Sequence, residues 1–295
     1  MSVDLQERTA QRLIAASAKH TLDPDTEVDW EAPLLAHAPF MPWESVSLFD
    51  TALWWGMSPQ QRQDLSRHEV ASLAATGIWL ENLLMRMLLR HVAPLDPRSA
   101  HVQYALTEIE DECRHSIMFG RLVERLGCPA YEPHRVARRL GALFASTSDG
   151  PEVFAAALIG EEVLDQLQRR SLADETVQPF AQQVNRVHVV EEARHIGYAR
   201  GELTRQWEAA STPKRVLFRA TIAATVATTV GSYISPAVYS AVGLDPREAA
   251  RAARTSPHRR EVLRTAGERL TDRFLELGII GGPSKHVWRR VGLLG

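Results

Sequence analysis

Apolar residues recur every three to four positions over most of this chain, and the strict alternation of a half-buried strand is scarce. Residues 1–20, MSVDLQERTAQRLIAASAKH, read as an amphipathic helix. Residues 21–58 are rich in Pro, Asp and Trp and read as an ordered arm, because Trp30, Phe40, Trp43, Trp54 and Trp55 supply anchors that a disordered segment lacks. Ser58-Pro59 has the form of a helix start, a capping hydroxyl before a proline at the first helical position. Helical periodicity runs from there to about His91 and breaks at APLDPRS. It resumes over about 98–126 and ends at Gly127. A shorter segment covers 134–146. Pro151 opens a third long helix to about Leu172, and a fourth covers about 177–209, with Pro179 tolerated in its first turn. STP at 211–213 opens an apolar helix, 256–278 reads as a last amphipathic one, and the tail IIGGPSKHVWRRVGLLG follows. The pattern predicts an all-α protein of one domain, 1–295: arm 1–58, long helices 59–209, C-terminal helices 212–278 and tail.

The polar positions repeat as well. DECRH at 111–115 returns as EEARH at 191–195, each on a long predicted helix. Residues three apart share a helix face, about 60° apart, so Glu112 pairs with His115 and Glu192 with His195. One Glu-x-x-His is a weak signal. Two copies on separate helices are the way ferritin-like four-helix bundles hold two metal ions, with one further Glu from each of the other two helices. On the first long helix the candidates are Glu69 and Glu81; on the third, Glu161 and Glu162. Glu81 precedes Glu112 by 31 residues and Glu161 precedes Glu192 by 31, so the pairs 81/161, 112/192 and 115/195 all differ by 80. ENLLMRMLLR (81–90) also aligns with EEVLDQLQRR (161–170). This spacing prefers Glu161 to Glu162 and reads as a duplicated helix pair.

The repeat breaks at one position. His188 stands four residues before Glu192, where Glu108 stands before Glu112. His188, Glu192 and His195 fall on one face, which offers a third imidazole to one metal. Glu108 is left outside the ligand set, because four carboxylates already neutralise two divalent ions. Asp111, Arg114, Glu191 and Arg194 are placed to hold the ligands from behind, the acids accepting from imidazole N–H groups. The remaining histidines (His20, His37, His68, His91, His101, His134, His258, His286) have no partner at ligand spacing within a helix. Arg86, Arg90 and Arg219 are candidate carboxylate clamps, the first two more simply read as solvated.

Composition narrows the context. Hydrophobic residues make up 45% and charged residues 24%, the balance of a globular protein, and a net charge of −2 gives no electrostatic reason for a nucleic-acid or membrane partner. Two cysteines without a pairing pattern fit a reducing compartment, so the protein is expected in the cytoplasm. Residues 216–244 carry few charges, but their Ala, Thr, Gly and Ser content, Arg219 and Pro236 predict a buried helix and not a membrane span.

Beyond the ligand motifs, VDWEAPL, SLFDTALW, SPQQRQDLSRHEVASLAATGIWLENLL, DECRH and HVVEEARH follow in order across 27–200. In these the chain resembles the p-aminobenzoate N-oxygenase-like diiron oxygenases. The resemblance implies a site of four glutamates and three histidines: Glu81, Glu112, His115, Glu161, His188, Glu192 and His195. It implies two irons that, once reduced by a reductase or ferredoxin-like donor, react with O₂ to a peroxo-diferric species and oxygenate an (aryl)amine toward hydroxylamine, nitroso or nitro product. It also implies a homodimer. The bland rivals share the bundle: a C–H hydroxylase or desaturase, an iron store, or a radical subunit like that of ribonucleotide reductase. The last expects a tyrosine one turn after the first Glu-x-x-His, where this chain has Phe119.

Overall fold

The computed structural model describes the backbone from Val3 to Gly295 and side chains from Glu7 onward. Helix α1 (Val3–His20) is followed by the arm, in which α2 (Pro24–Glu27), a 3-10 turn at Trp43–Ser45 and α3 (Ala52–Gly56) punctuate irregular chain. The four long helices are α4 (Pro59–Val92), α5 (Ala100–Arg125), α7 (Pro151–Ala173) and α8 (Pro179–Ala209), with the short α6 (Arg135–Thr147) on the crossover. Then come α9 (Thr212–Ser232), α10 (Ala237–Ala241), α11 (Pro246–Thr255), α12 (Pro257–Ala266), α13 (Glu268–Glu276) and α14 (Lys285–Arg290). No strand occurs among the described residues, and the architecture is an all-α, ferritin-like bundle.

Local chemistry sets the helix ends. The Ser58 hydroxyl accepts from the Gln61 N–H (3.2 Å) while the Gln61 side chain accepts from the Ser58 N–H (3.0 Å), a capping box on α4 with Pro59 at its first position. Ser99 caps α5 through the Val102 N–H. At the far end of α5, Gly127 takes φ 61°, a left-handed turn that only glycine adopts without strain.

Helices α4 and α5 form one antiparallel pair and α7 and α8 the other; α4 meets α7 and α5 meets α8 to close the bundle. One apolar cluster joins the bundle to the C-terminal helices through residues such as Leu84, Leu158, Phe218, Phe274 and Trp288. A second fastens the arm, through Phe40, Leu48 and Trp54, to Leu65, Met118 and Phe180. The arm is also pinned by polar contacts: the Gln178 side chain bridges the backbone of Leu35 and Ala38.

Three expectations change. The helix after Ser211 is not buried all round: Phe218, Ile222 and Val226 face the bundle, while Val216 and Leu217 are exposed. The last amphipathic helix is two, because Gly267 interrupts it between α12 and α13. Trp55 is no anchor; it is 62% exposed beneath the Arg62 guanidinium. No helix among the described residues is long and apolar enough to cross a membrane.

The C-terminal end of α9 is held on α4 by two buried side chains. Thr76 donates to the Ser232 carbonyl (2.8 Å) and Ser72 to that of Tyr233 (3.0 Å), satisfying carbonyls that the helix end leaves free. Thr76→Val keeps the shape, removes one of these bonds and strands a buried carbonyl. The expected loss is about 1–3 kcal/mol in denaturant unfolding.

Candidate metal centre

Glycine at position 77 lets α4 and α5 approach each other closely beside a buried polar layer. A Cβ there would stand 3.2 Å from the Phe119 ring, so Gly77 admits that ring against α4. Phe119 in turn packs on His188, with centroids 4.9 Å apart. Around this layer every long helix turns a carboxylate inward: Glu81 from α4, Glu112 from α5, Glu161 from α7 and Glu192 from α8, none more than 5% exposed. His115, His188 and His195 are buried among them.

The distances have an approximate two-fold relation. His115 Nδ1 lies 3.3 Å from both Glu112 Oε2 and Glu192 Oε1; His195 Nδ1 lies 3.2 Å from Glu112 Oε1 and 3.1 Å from Glu192 Oε1. The opposite ring nitrogens cross over to the other helix: His115 Nε2 to Glu191 Oε2 at 2.8 Å, and His195 Nε2 to Asp111 Oδ2 at 3.1 Å. Behind these acids stand the two arginines. Arg114 donates to Asp111 and to Glu191 (3.2 Å), and Arg194 donates to Asp111 (3.4 Å). The arm closes the network, since the Leu22 N–H donates to Glu191 (3.0 Å). Glu191 is thus fully buried.

His188 enters from one side. Its Nδ1 stands 2.8 Å from Gln168 Oε1, which can only accept, so Nδ1 carries the proton. Its Nε2 then faces Glu81 Oε1 (3.8 Å) and Glu192 Oε1 (3.7 Å). Ser116 donates to the other Glu81 oxygen (2.6 Å). Glu161 lies with His188 and Glu192, each offering an atom within 4.8 Å of the others, whereas the neighbouring Glu162 accepts from Arg200. Glu108 lies equally close to Glu112 and His195.

Electrostatics follow from this crowding. Burial opposes every charge in the layer. For Glu192 the protonated His195 and His115 outweigh that burial and hold the carboxyl well below its usual range. Burial likewise disfavours the His195 cation, but Glu192, Asp111 and Glu112 overcome it and raise the imidazole well above its usual range. Glu161 has no such partner: burial, then the charges of Glu192, Glu112 and Glu81, push it well up. Burial first, and carboxylate neighbours after it, also push Glu108 up to about 8. The layer therefore shares too few protons among too many carboxylates, the condition that a multivalent cation relieves.

Two cavities reach the layer, and both touch Glu161. One, of about 60 Å³, is lined by Glu81, Glu161 and His188 together with Gln168, Asn185, Glu69 and Arg259. The other, of about 310 Å³, runs between α4, α6, α7 and α9 and is lined by residues such as Trp79, Leu83, Met87 and Phe144. Its threonines add little polarity, because the hydroxyls of Thr221, Thr225 and Thr228 bond back to carbonyls four residues earlier. None of the arginines considered as clamps lines either cavity: Arg86 and Arg90 bond to α6, and Arg219 to the Gly278 carbonyl. The guanidinium at the first cavity is Arg259, from a helix of the C-terminal third that carries no motif. Near it, burial pushes Glu69 up to about 6 against the pull of Arg259 and of the hydrogen bonds from Ser47.

The bundle is similar to R2-like ligand-binding oxidases. A variant aerobically reconstituted with an Mn/Fe cofactor aligns over 94% of this chain and 93% of its own at TM-score 0.53 and 15% identity. An anaerobically reconstituted variant aligns over the same shares at TM-score 0.53 and 13% identity. These likenesses concern the fold. Uncharacterized proteins of Mycobacterium tuberculosis and Mycobacterium bovis are 29% identical over 195 residues, which is 63% of this chain. That stretch spans only 57% of those relatives' length. Residues 4–278 match the P-aminobenzoate N-oxygenase AurF family, and the chain belongs to that family.

Proposed function

We propose that this protein is a non-haem diiron oxygenase that N-oxygenates an arylamine, with Glu81, Glu112, His115, Glu161, His188, Glu192 and His195 holding two irons. The buried layer fits such a pair of ions. Its donors are oxygen and imidazole, which suit iron, and its four principal carboxylates match the charge of two divalent cations. Glu81 Oε1 and Glu192 Oε2 are buried without a hydrogen-bond partner, and such atoms need a cation or a donor. When bound, the irons supply a redox centre at which dioxygen is reduced. The overall step to a hydroxylamine inserts one atom of O₂ into an N–H bond and reduces the other to water. It consumes two protons and two electrons, the electrons coming from an external reductase or ferredoxin-like donor. Repetition leads on to the nitroso and nitro levels, and a homodimer is the expected assembly.

The single observation that carries the N-oxygenase reading is the third imidazole. Gln168 fixes the tautomer of His188 so that its free Nε2 lone pair points into the carboxylate layer. A neutral ligand fills a coordination position without changing the charge. The first cavity supports the same reading, since Gln168, Asn185 and Arg259 can orient an amine with a polar or anionic substituent. Asp111 and Glu191 act through the two other imidazoles: each accepts the N–H that would otherwise compete for the ligand face.

The second cavity favours another reading, hydroxylation of a C–H bond on an apolar chain, because its lining is apolar up to Glu161. Ala224 is an exposed residue of that lining, so Ala224→Phe obstructs entry by this route.

Iron-loaded protein given a chemical reductant, O₂ and a panel of arylamines is expected to yield hydroxylamine, nitroso or nitro products by liquid chromatography and mass spectrometry. Their absence with every amine, together with a hydroxylated aliphatic product that Ala224→Phe suppresses, transfers the assignment to C–H chemistry. His188→Ala is expected to lower amine oxygenation at least tenfold while the remaining six donors retain iron; unchanged turnover at full iron content removes His188 from the reaction. Asp111→Asn, which turns an acceptor for His195 into a mixed donor and acceptor, is expected to weaken iron binding about 10–100-fold in chelator competition.

A further inference from the structure

Away from the bundle centre, three helices converge at the α4–α5 turn. His91 lies in the last turn of α4, His101 in the first turn of α5, and Glu202 on α8 about 10 Å along the helix from His195. One ligand atom from each stands within 4.8 Å of the other two. The imidazole rings are 5.7 Å apart and nearly perpendicular, at 76°, so they converge without stacking.

Among the described residues the hydrogen bonding leaves one ring nitrogen of this cluster unpartnered. His91 Nε2 is buried with no partner, while its other nitrogen faces the backbone carbonyl of Asp149. A ring N–H held by a backbone carbonyl, with the opposite lone pair aimed at a neighbouring imidazole and carboxylate, is how metal-binding histidines are oriented. His101 has a comparable support: the Tyr198 hydroxyl stands 2.9 Å from its Nδ1 and 3.3 Å from its Nε2, and its oxygen can accept from the N–H of whichever nitrogen does not coordinate. Burial lowers the basicity of both imidazoles, which keeps them in the neutral form that a metal needs. Glu202 is 3% exposed, and its Oε2 accepts from Arg205 (2.7 Å) and Gln206 (3.3 Å). Glu7 adds a second negative charge next to His101.

We propose that His91, His101 and Glu202 form a second metal site, separate from the central carboxylate layer, for one divalent ion of the zinc class. Two imidazoles and a carboxylate are a donor set that zinc takes in tetrahedral geometry, and the half-buried histidines leave water access to the fourth position. The ion ties the α4–α5 turn to α8. That end of the hairpin needs a tie, because Val92, Val102 and Ala105 form a small apolar cluster apart from the two main ones. The site does not depend on the chemistry at the bundle centre.

Iron-loaded protein incubated with Zn²⁺ and desalted is the test, with both metals counted by mass spectrometry. Wild type is expected to hold one equivalent of zinc that His91→Ala and His101→Ala lose, with iron unchanged in all three. Tyr198→Phe is expected to weaken zinc binding 10–100-fold. Equal zinc in wild type and both histidine variants overturns the site, as does zinc that disappears with His195→Ala instead. If an alanine variant does not fold, zinc K-edge absorption on wild type decides: two imidazole donors support the site, and their absence overturns it.

Discussion

Four carboxylates brought together in a dry interior set the terms for the rest of this molecule. Each ionised carboxylate removed from water costs several kcal/mol even after relaxation, and like charges a few ångströms apart add to that cost. The chain offsets it in layers. Imidazoles stand between the carboxylates, further acids stand behind the imidazoles, and arginines stand behind those acids. The arm then places a backbone N–H on Glu191, so a segment outside the four long helices completes the charge network. Even so, burial leaves Glu161 and Glu108 pushed toward their protonated forms. A bundle built only for stability would fill this layer with leucine.

Duplication explains the regularity of the centre, and departures from it explain the direction in which it opens. His115 and His195 each reach an acid on the other's helix, an exchange that locks α5 to α8 where both are most polar. His188 has no counterpart across the pseudo-two-fold relation, since Glu108 holds the mirrored position. The cavity beside His188 holds Gln168, Asn185 and Arg259, and on the same side Phe119 covers the imidazole. The asymmetry of one residue thus coincides with the asymmetry of access. The second cavity approaches Glu161 between α7 and α9, so a single glutamate borders both routes.

The carboxylate layer also accounts for what surrounds it. Helix α9 is only half buried: Phe218, Ile222 and Val226 join the core, while Thr221, Thr225 and Thr228 wall the second cavity. Its far end needs Ser72 and Thr76 from α4 as partners for its last carbonyls. The C-terminal helices bring Arg259 to the cavity from outside the 27–200 stretch that carries the sequence motifs.

Much of the site was legible in the sequence because helical geometry is local. Glu112 with His115, Glu192 with His195, and the approach of His188 all follow from spacing on one helix, and the 80-residue repeat carried Glu81 and Glu161 with them. The structure brings these seven together, and Glu162 accepts from Arg200. Spacing within a helix could not reveal groups that meet only across helices: Gln168 beneath His188, Arg259 at the cavity, or His91 and His101 beside Glu202, which looked partnerless in sequence. Nor could it place Trp55 or the outer face of α9, whose exposure depends on what packs nearby. The sequence by itself determined the long helices and the polar faces that they turn inward. Only the tertiary structure decided which polar groups support that centre and where it is open, because those contacts join residues that no periodicity relates.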